Sequence, residues 1–401
     1  MIDARAARNE PDEYRRRLAR KGAGEAFDAW LAVDERWREA VPLVDELRSR
    51  TKLKGKPTPE QLEELRGVKE ELQRAELELR EAEDERDQLG LRIPNLPADD
   101  VPDGATEDDV RVERVVGDPP QLSDPKESLE LGQFDMERAA RMSGARFGYW
   151  IGDTGRLALA LYRYALDRLA AKGLVTVLPP VLVREEALIG TGAFPSDEQN
   201  VYAVPEDGLY LSATAEIPLA SLHAGEIIEA DDLPLRYVAF SPCFRREAGA
   251  AGRDTRGMFR VHQFNKVEQF ALTLPEHSWD EHELLLANTE ELVRDLGVPY
   301  RIVVLPAGDM SAASAKTYDV EIWFPSQGKY RETASVSNTT DFQARRLGIR
   351  YRDGKSPEPL HMLNGTAVVD RMALAVLENL QGEVPDVLRE YGAPQHVTPG
   401  S

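Results

Sequence analysis

Residues 243–270 read CFRREAGAAGRDTRGMFRVHQFNKVEQF, a stretch whose side chains are suited to a charged ligand. Ser241, Cys243, Arg245 and Glu247 recur at every second position and so fall on one face of a strand. His262, Phe264, Lys266 and Glu268 repeat that period after a loop, residues 248–257, too polar to be core. Arg245, Arg253, Arg256 and Arg260 surround this one hairpin, and a guanidinium fork matches phosphate or carboxylate geometry. Phe264 offers a face for a base, and Glu268 can hold an ammonium or a hydroxyl. The pattern alone also describes a solvated, charge-rich hairpin. No G-x-x-x-x-G-K-[ST] loop is present, and no G-x-G-x-x-G follows a plausible strand, so the two common nucleotide-binding fingerprints are missing.

Such a hairpin needs a large scaffold. The chain has 401 residues, enough for two or three domains with a sizeable core. Its formal net charge of -21 argues against non-specific binding to nucleic acid or anionic membranes, and neither DNA nor a membrane is an expected partner. A single cysteine, Cys243, excludes an internal disulfide and suits a reducing, cytoplasmic setting. No Cys/His cluster has zinc-site spacing. The N-terminus lacks a signal-peptide pattern, and no apolar run is long enough to span a membrane.

Residues 1–26 suggest a short helix and a turn. From Phe27 the apolar residues fall into heptad spacing: Trp30, Val33, Trp37, Ala40, Val44 and Leu47, then Leu65, Val68, Leu72, Ala75, Leu79, Ala82 and Leu89, with Arg86 interrupting. Two such stripes joined by a polar turn predict an antiparallel coiled-coil hairpin. Thr58, Pro59 and Gln61 form the start signal of its second helix. Pro42 lies inside the first helix, at a cost of roughly 3 kcal/mol or a kink. The tip carries Arg48, Arg50, Lys52, Lys54 and Lys56, either a solvated turn or a set of phosphate contacts that read RNA by shape. Residues 92–109 form a Pro/Asp-rich linker. A helix is expected over residues 155–171, a strand with a double-proline break over 174–183, a helix over 276–297, and strands over 300–305, 317–324 and 329–334.

The phrase FRREAGAAGRDTRG, followed by HQF and KVE, resembles motif 2 of class II aminoacyl-tRNA synthetases, and specifically of seryl-tRNA synthetases. RIPNLP in the linker, and the helical arm, which is shorter than is usual in the family, point the same way. The resemblance implies an α+β architecture: an N-terminal antiparallel coiled-coil hairpin at residues 1–109, then a class II antiparallel-sheet catalytic domain flanked by helices at 110–401. It implies a serine–tRNA ligase that makes seryl-adenylate from L-serine and ATP and passes the seryl group to the 3' end of tRNA(Ser). It also implies a homodimer built on motif 1, residues 174–183. A second reading is a specialised or catalytically weakened paralogue that binds tRNA or a partner, with a role in natural-product synthesis or resistance. A third is an enzyme that charges a carrier protein instead of tRNA, which would not need the coiled-coil arm.

By the same resemblance Arg245 holds the α-phosphate and the serine carboxylate, Arg371 the far phosphates, and Glu247 and Phe264 the adenine. Thr214, Glu216, Glu268 and Thr366 contact serine. Glu332 and Ser335 hold ATP and its Mg2+, both being oxygen donors suited to a hard cation. Strict alternation would put Glu332 and Ser335 on opposite faces, so a bulge is required. Motif 3, residues 361–371, is one residue shorter between Thr366 and Arg371 than the family pattern. Asp370 stands there in place of Gly or another uncharged residue, and is expected to pair with Arg371 and orient it.

Overall fold

The computed structural model describes residues 1–52, 58–248, 257–354 and 356–399. They divide into two compact units, Met1–Leu96 and Pro97–Ser401.

In the first unit, helices α1 (Ala4–Asn9) and α2 (Pro11–Ala19) precede two long helices, α3 (Gly24–Arg50) and α4 (Pro59–Arg92). Thr58 caps α4 as expected: its hydroxyl accepts the Gln61 N–H at 3.3 Å while its own N–H donates to Gln61 Oε1 at 2.9 Å. Val44, Leu47, Val68 and Ala75 form one buried cluster between α3 and α4, and Tyr14, Leu18, Phe27, Trp30 and Ile93 form another. Pro42 sits on the exposed side of α3, which continues through it. The interruption at Arg86 has a partner. Asp34, fully buried on α3, receives Arg86 Nε at 2.9 Å and a two-point bond from Arg8 at 2.7 Å. The Arg86 guanidinium also lies 4.4 Å from the ring centre of Trp37. Burial pushes the Asp34 carboxyl up, but Arg8 and Arg86 outweigh it and hold it below the usual range.

The second unit is built on one eight-stranded sheet. Its strands are β1 (Arg111–Val116), β2 (Val175–Val177), β3 (Leu235–Phe244), β4 (Gln263–Thr273), β5 (Tyr300–Val304), β6 (Lys316–Phe324), β7 (Lys329–Thr340) and β8 (His361–Val369). They lie in the order β1-β5-β6-β7-β8-β4-β3-β2, antiparallel except for the β2–β3 pair. Helices α5 (Gly152–Ala171), α6 (Ser278–Asp295) and α7 (Asp370–Leu380) contribute to the main core. Alternation along β4 sends Val267 and Ala271 into that core and Gln269 to α6, while Phe264, Lys266 and Glu268 face a cavity on the other side.

The linker ends earlier than composition suggested. Ala98 and Val101 are buried against Ala307 and Met310, and Asp100 pairs with Lys316 at 2.5 Å. The Ala98 N–H donates to Ala315 O at 2.8 Å, and Ala307 N–H to Pro102 O at 2.9 Å. Residues 97–109 are therefore part of the second unit. Proline and aspartate made them look like free linker, but their backbone groups are committed to the sheet's loops.

Candidate active site

The cavity, about 250 Å³, opens on the sheet face opposite the main core and continues into a wider cleft. Arg245, Glu247, Phe264, Glu268, Thr214, Glu216, Glu332, Ser335, Thr366 and Arg371 all line it, so every described residue expected around serine and ATP is brought together. Arg253 and Arg256 of the hairpin, and Lys54 and Lys56 of the arm tip, lie outside the described residues.

The two hairpin strands are held in register, with Phe264 opposite Cys243 and Glu268 opposite Ala239. The expected common face of residues 241–247 ends where β3 ends, at Phe244. Beyond it the Arg245 guanidinium stands 5.2 Å from the Phe264 ring centre, and Arg245 N–H donates to His262 O at 2.9 Å. Glu247 occupies the left-handed region at φ 53°, a conformation costly for a non-glycine residue. Its carboxylate accepts from Arg260 Nη1 at 2.6 Å.

The bulge that Glu332 and Ser335 require is present. Ser335 pairs with Asp319 and Ala334 with Val320, but Glu321 pairs with Glu332, which leaves Thr333 extra on β7. The Thr333 hydroxyl donates to Val320 O at 2.9 Å and holds the bulge. A second bulge lies on β8, where Glu268 pairs with Thr366 and Val267 with Val368, leaving Ala367 extra. Thr366 and Val369 both line the cavity as a result.

Arg371 and Glu332 pair with each other, Nη1 to Oε2, at 2.5 Å. Arg371 Nε also donates to Phe259 O at 3.1 Å, and its guanidinium lies 4.6 Å from the Phe259 ring centre. Desolvation in the cleft pushes the Glu332 carboxyl up, but Arg371, Arg245 and Lys266 together bring it below its ordinary value. Asp319, opposite Ser335, is pushed well up by burial and by the Glu332 charge; among the described residues its Oδ1 has no hydrogen-bond partner. Two carboxylates and a hydroxyl at one spot form an oxygen-rich set that fits a hard divalent cation.

Asp370 does not pair with Arg371. It is buried at the start of α7, where its carboxylate accepts the Tyr162 hydroxyl and, at 3.1 Å, the backbone N–H of Asn265. Burial pushes it up to about 6. The expectation failed because Asp370 turns inward while Arg371, next in the helix, points along the cleft.

Lys266 was not assigned a role from sequence, although its alternation with Phe264 and Glu268 placed it on their face. Its ammonium pairs with Glu268 and donates to Thr214 Oγ1 at 2.7 Å, and Thr214 Oγ1 reaches Glu268 Oε2 at 3.3 Å. Lys266 and Glu268 are both almost fully buried. Thr214 also accepts the Glu216 N–H at 3.3 Å at the start of the short helix Glu216–Ser221, so it is a helix-start residue and a cavity residue at once. Glu216 accepts from Gln343 Nε2 at 2.7 Å; burial first and the Glu268 charge second push it up. Ser311 and Ser314 reach the cavity from a loop that carried no signal in the sequence.

An antiparallel sheet with these cationic and acidic groups on one face defines a class II aminoacyl-tRNA synthetase. Residues 202–380 match the family described as tRNA synthetase class II core domain (G, H, P, S and T), and residues 1–97 match the seryl-tRNA synthetase N-terminal domain. The serine–tRNA ligase of Thermobifida fusca is 44% identical over 98% of this chain and 97% of its own length, and serine–tRNA ligase 1 of Streptomyces avermitilis is 42% identical with the same coverage. The crystal structure of seryl-tRNA synthetase from Pyrococcus horikoshii complexed with ATP superposes with a TM-score of 0.94, at 39% identity and full coverage of both chains. The chain belongs to the seryl-tRNA synthetase family and is a serine–tRNA ligase. Nothing favours the weakened paralogue. Among the described residues no helix is long and apolar enough to cross a membrane.

Proposed function

We propose that the cavity binds serine and ATP side by side, with roles divided as follows. Arg245 neutralises the serine carboxylate and the α-phosphate as they approach. Phe264 and Glu247 hold the adenine, and Arg371 takes the far phosphates. Glu332 and Ser335 hold Mg2+, which supplies charge neutralisation on the polyphosphate. The relative from Pyrococcus horikoshii is complexed with ATP, and the cytoplasmic relative from Naegleria fowleri with AMP, which supports a nucleotide here. The observation that carries the division is one cavity lined both by Arg245, Arg260 and Arg371 and by the Thr214–Lys266–Glu268 network.

No side chain needs to act as a nucleophile. A serine carboxylate oxygen attacks the α-phosphorus, the bond to pyrophosphate breaks, and the electron pair leaves on pyrophosphate. The ribose hydroxyl at the tRNA 3' end then attacks the seryl carbonyl and AMP leaves. The residues contribute alignment and charge compensation. A serine ammonium beside Glu216 would counter the upward push of burial on its carboxyl. Glu268 and Thr366 meet the serine hydroxyl, and their burial penalises alanine by leaving them unmatched.

The helical arm binds tRNA(Ser) through its tip. Arg50 and Lys52 are exposed there, whereas Arg48 is already paired with Glu76 at 2.9 Å. The enzyme works as a cytoplasmic homodimer through the motif 1 region. Edge strand β2 and the exposed Val175, Leu178 and Leu182 support that assembly, Leu178 being 78% exposed. Serine-dependent ATP–pyrophosphate exchange, run beside tRNA charging, tests the assignment: both activities are expected, and absence of exchange would overturn it.

A further inference from the structure

Among the described residues, four other than glycine have a positive φ, and of these only Glu247 lines the cavity. A left-handed backbone is costly for a residue with a Cβ and persists where the surroundings enforce it. Here the enforcing residue is Asn200, at the end of the short helical turn Glu198–Asn200. Its main-chain oxygen accepts the N–H of Arg246 at 2.8 Å, and its side-chain Oδ1 accepts the N–H of Ala248 at 2.8 Å. The amides on either side of Glu247 are thus both fixed by one residue. Asn200 is held in turn: its Nδ2 donates to Asp197 Oδ1 at 2.5 Å, which fixes the orientation of the side-chain amide and leaves its oxygen for Ala248. Held this way, Glu247 sends its carboxylate to Arg260 Nη1 at 2.6 Å on the cavity wall. Its neighbour Arg246 stays exposed, the guanidinium 5.7 Å from the Tyr202 ring centre. An ordinary backbone conformation at Glu247 would swing the carboxylate away from Arg260.

We infer that Asn200 is a positioning residue for the nucleotide half of the site, acting through Glu247: by bracketing that residue it keeps the carboxylate on the cavity wall beside Arg260. The inference rests on the assignment of Glu247 to the adenine. The hydrogen bonds of Asn200 go to Asp197, Arg246 and Ala248, and none goes to Thr214, Lys266, Glu268 or Thr366. Loosening it should therefore weaken ATP and spare serine.

The experiment is ATP–pyrophosphate exchange by the full chain, with the KM for ATP and the KM for serine read separately. Asn200→Ala keeps the main-chain acceptor and removes the side-chain one. If the left-handed conformer of Glu247 then falls to about a tenth of the population, the KM for ATP rises about tenfold while that for serine stays within about twofold. Glu247→Ala should raise the KM for ATP at least as far, and adding Asn200→Ala to it should do nothing more, because the route through Glu247 is already gone. The exchanged pair, Asp197→Asn with Asn200→Asp, keeps a donor and an acceptor between the two positions and an oxygen for Ala248. It should bring the KM for ATP back to within about threefold of wild type. Asn200→Ser, too short to reach Ala248, carries the comparison if Asn200→Ala fails to fold. An unchanged KM for ATP in the folded variant, equal rises for serine and ATP, additive losses in the double variant, or no rescue by the exchanged pair would overturn the inference. Glu247→Ala with an unchanged KM for ATP would instead sink the assignment of Glu247 to the nucleotide, and the inference with it.

Discussion

Arg371 and Glu332 hold each other at 2.5 Å across the strand–helix junction, one a cation assigned to phosphate and the other an anion assigned to the phosphate's metal. Each limits the other's freedom before substrate is engaged. Arg371→Ala should lower exchange by about a hundredfold or more, as loss of a preorganised charge on the transition state does. Glu332→Gln should raise the magnesium concentration needed for half-maximal exchange. The double variant should be far from additive, because the two groups are in contact. A magnesium dependence unchanged by Glu332→Gln would remove it from the metal role.

Glu268 is expected to govern the amino acid rather than the nucleotide. Glu268→Ala should raise the KM for serine much more than that for ATP, and should erode discrimination against alanine from a starting level of about 10⁴. Lys266→Met leaves Glu268 buried beside Thr214 without its ammonium partner, and should lower thermal stability as well as serine use. Equal effects of Glu268→Ala on serine and ATP would show the role to be misassigned.

Acid stability has an identifiable contributor. His282 is fully buried on α6, its Nε2 2.9 Å from Val336 O, and burial lowers it to about 4. The unfolded chain protonates this imidazole near pH 6.5, whereas the folded chain resists until about 4. Stability therefore falls as pH drops through that window, by up to about 3 kcal/mol from this one group. His282→Gln should flatten the dependence of the urea midpoint on pH between about 7 and 5. An unchanged slope would show that the imidazole is not kept neutral.

The arm and the catalytic unit should separate at Pro97 rather than Val110. A chain beginning at Pro97 is expected to keep exchange and lose tRNA charging. One beginning at Val110 also loses the packing of Ala98 and Val101 and the Asp100–Lys316 pair, and should melt at a lower temperature by an amount corresponding to about 2 kcal/mol. Neutralising Lys52, Lys54 and Lys56 together should weaken tRNA binding and flatten its salt dependence. A constant salt slope would return the tip to an ordinary solvated turn.

Much of this architecture was legible because it follows from period. The heptads of the arm, the capping box at Thr58 and the alternation of Phe264, Lys266 and Glu268 are local, and the chain obeys them. What escaped depends on partners distant in sequence. Arg86 read as a break in an apolar stripe because its counter-charges lie at Asp34, on another helix. Asp370 read as a neighbour of Arg371, but a helix start sends adjacent side chains in different directions, and its partners Tyr162 and Asn265 are set by tertiary packing. Residues 97–109 read as linker because composition does not record where backbone groups find their bonds.

The extra residue Thr333 makes β7 a strand of two parities. Glu332, even-numbered, looks into the cleft before it; Ser335 and Ser337, odd-numbered, do so after it, while Ala334 and Val336 fill the core. Losing that one residue would leave Glu332, Ala334, Ser335, Val336 and Ser337 in strict alternation, so each face would keep its residues and only the bulge, with its local kink and twist, would go. Replacing Glu332 subtracts one ligand, whereas deleting Thr333 would keep every ligand and change only the kink and twist that set how Glu332 and Ser335 are aimed. The bulge therefore absorbs one extra residue of chain length without moving the chemistry to the wrong face.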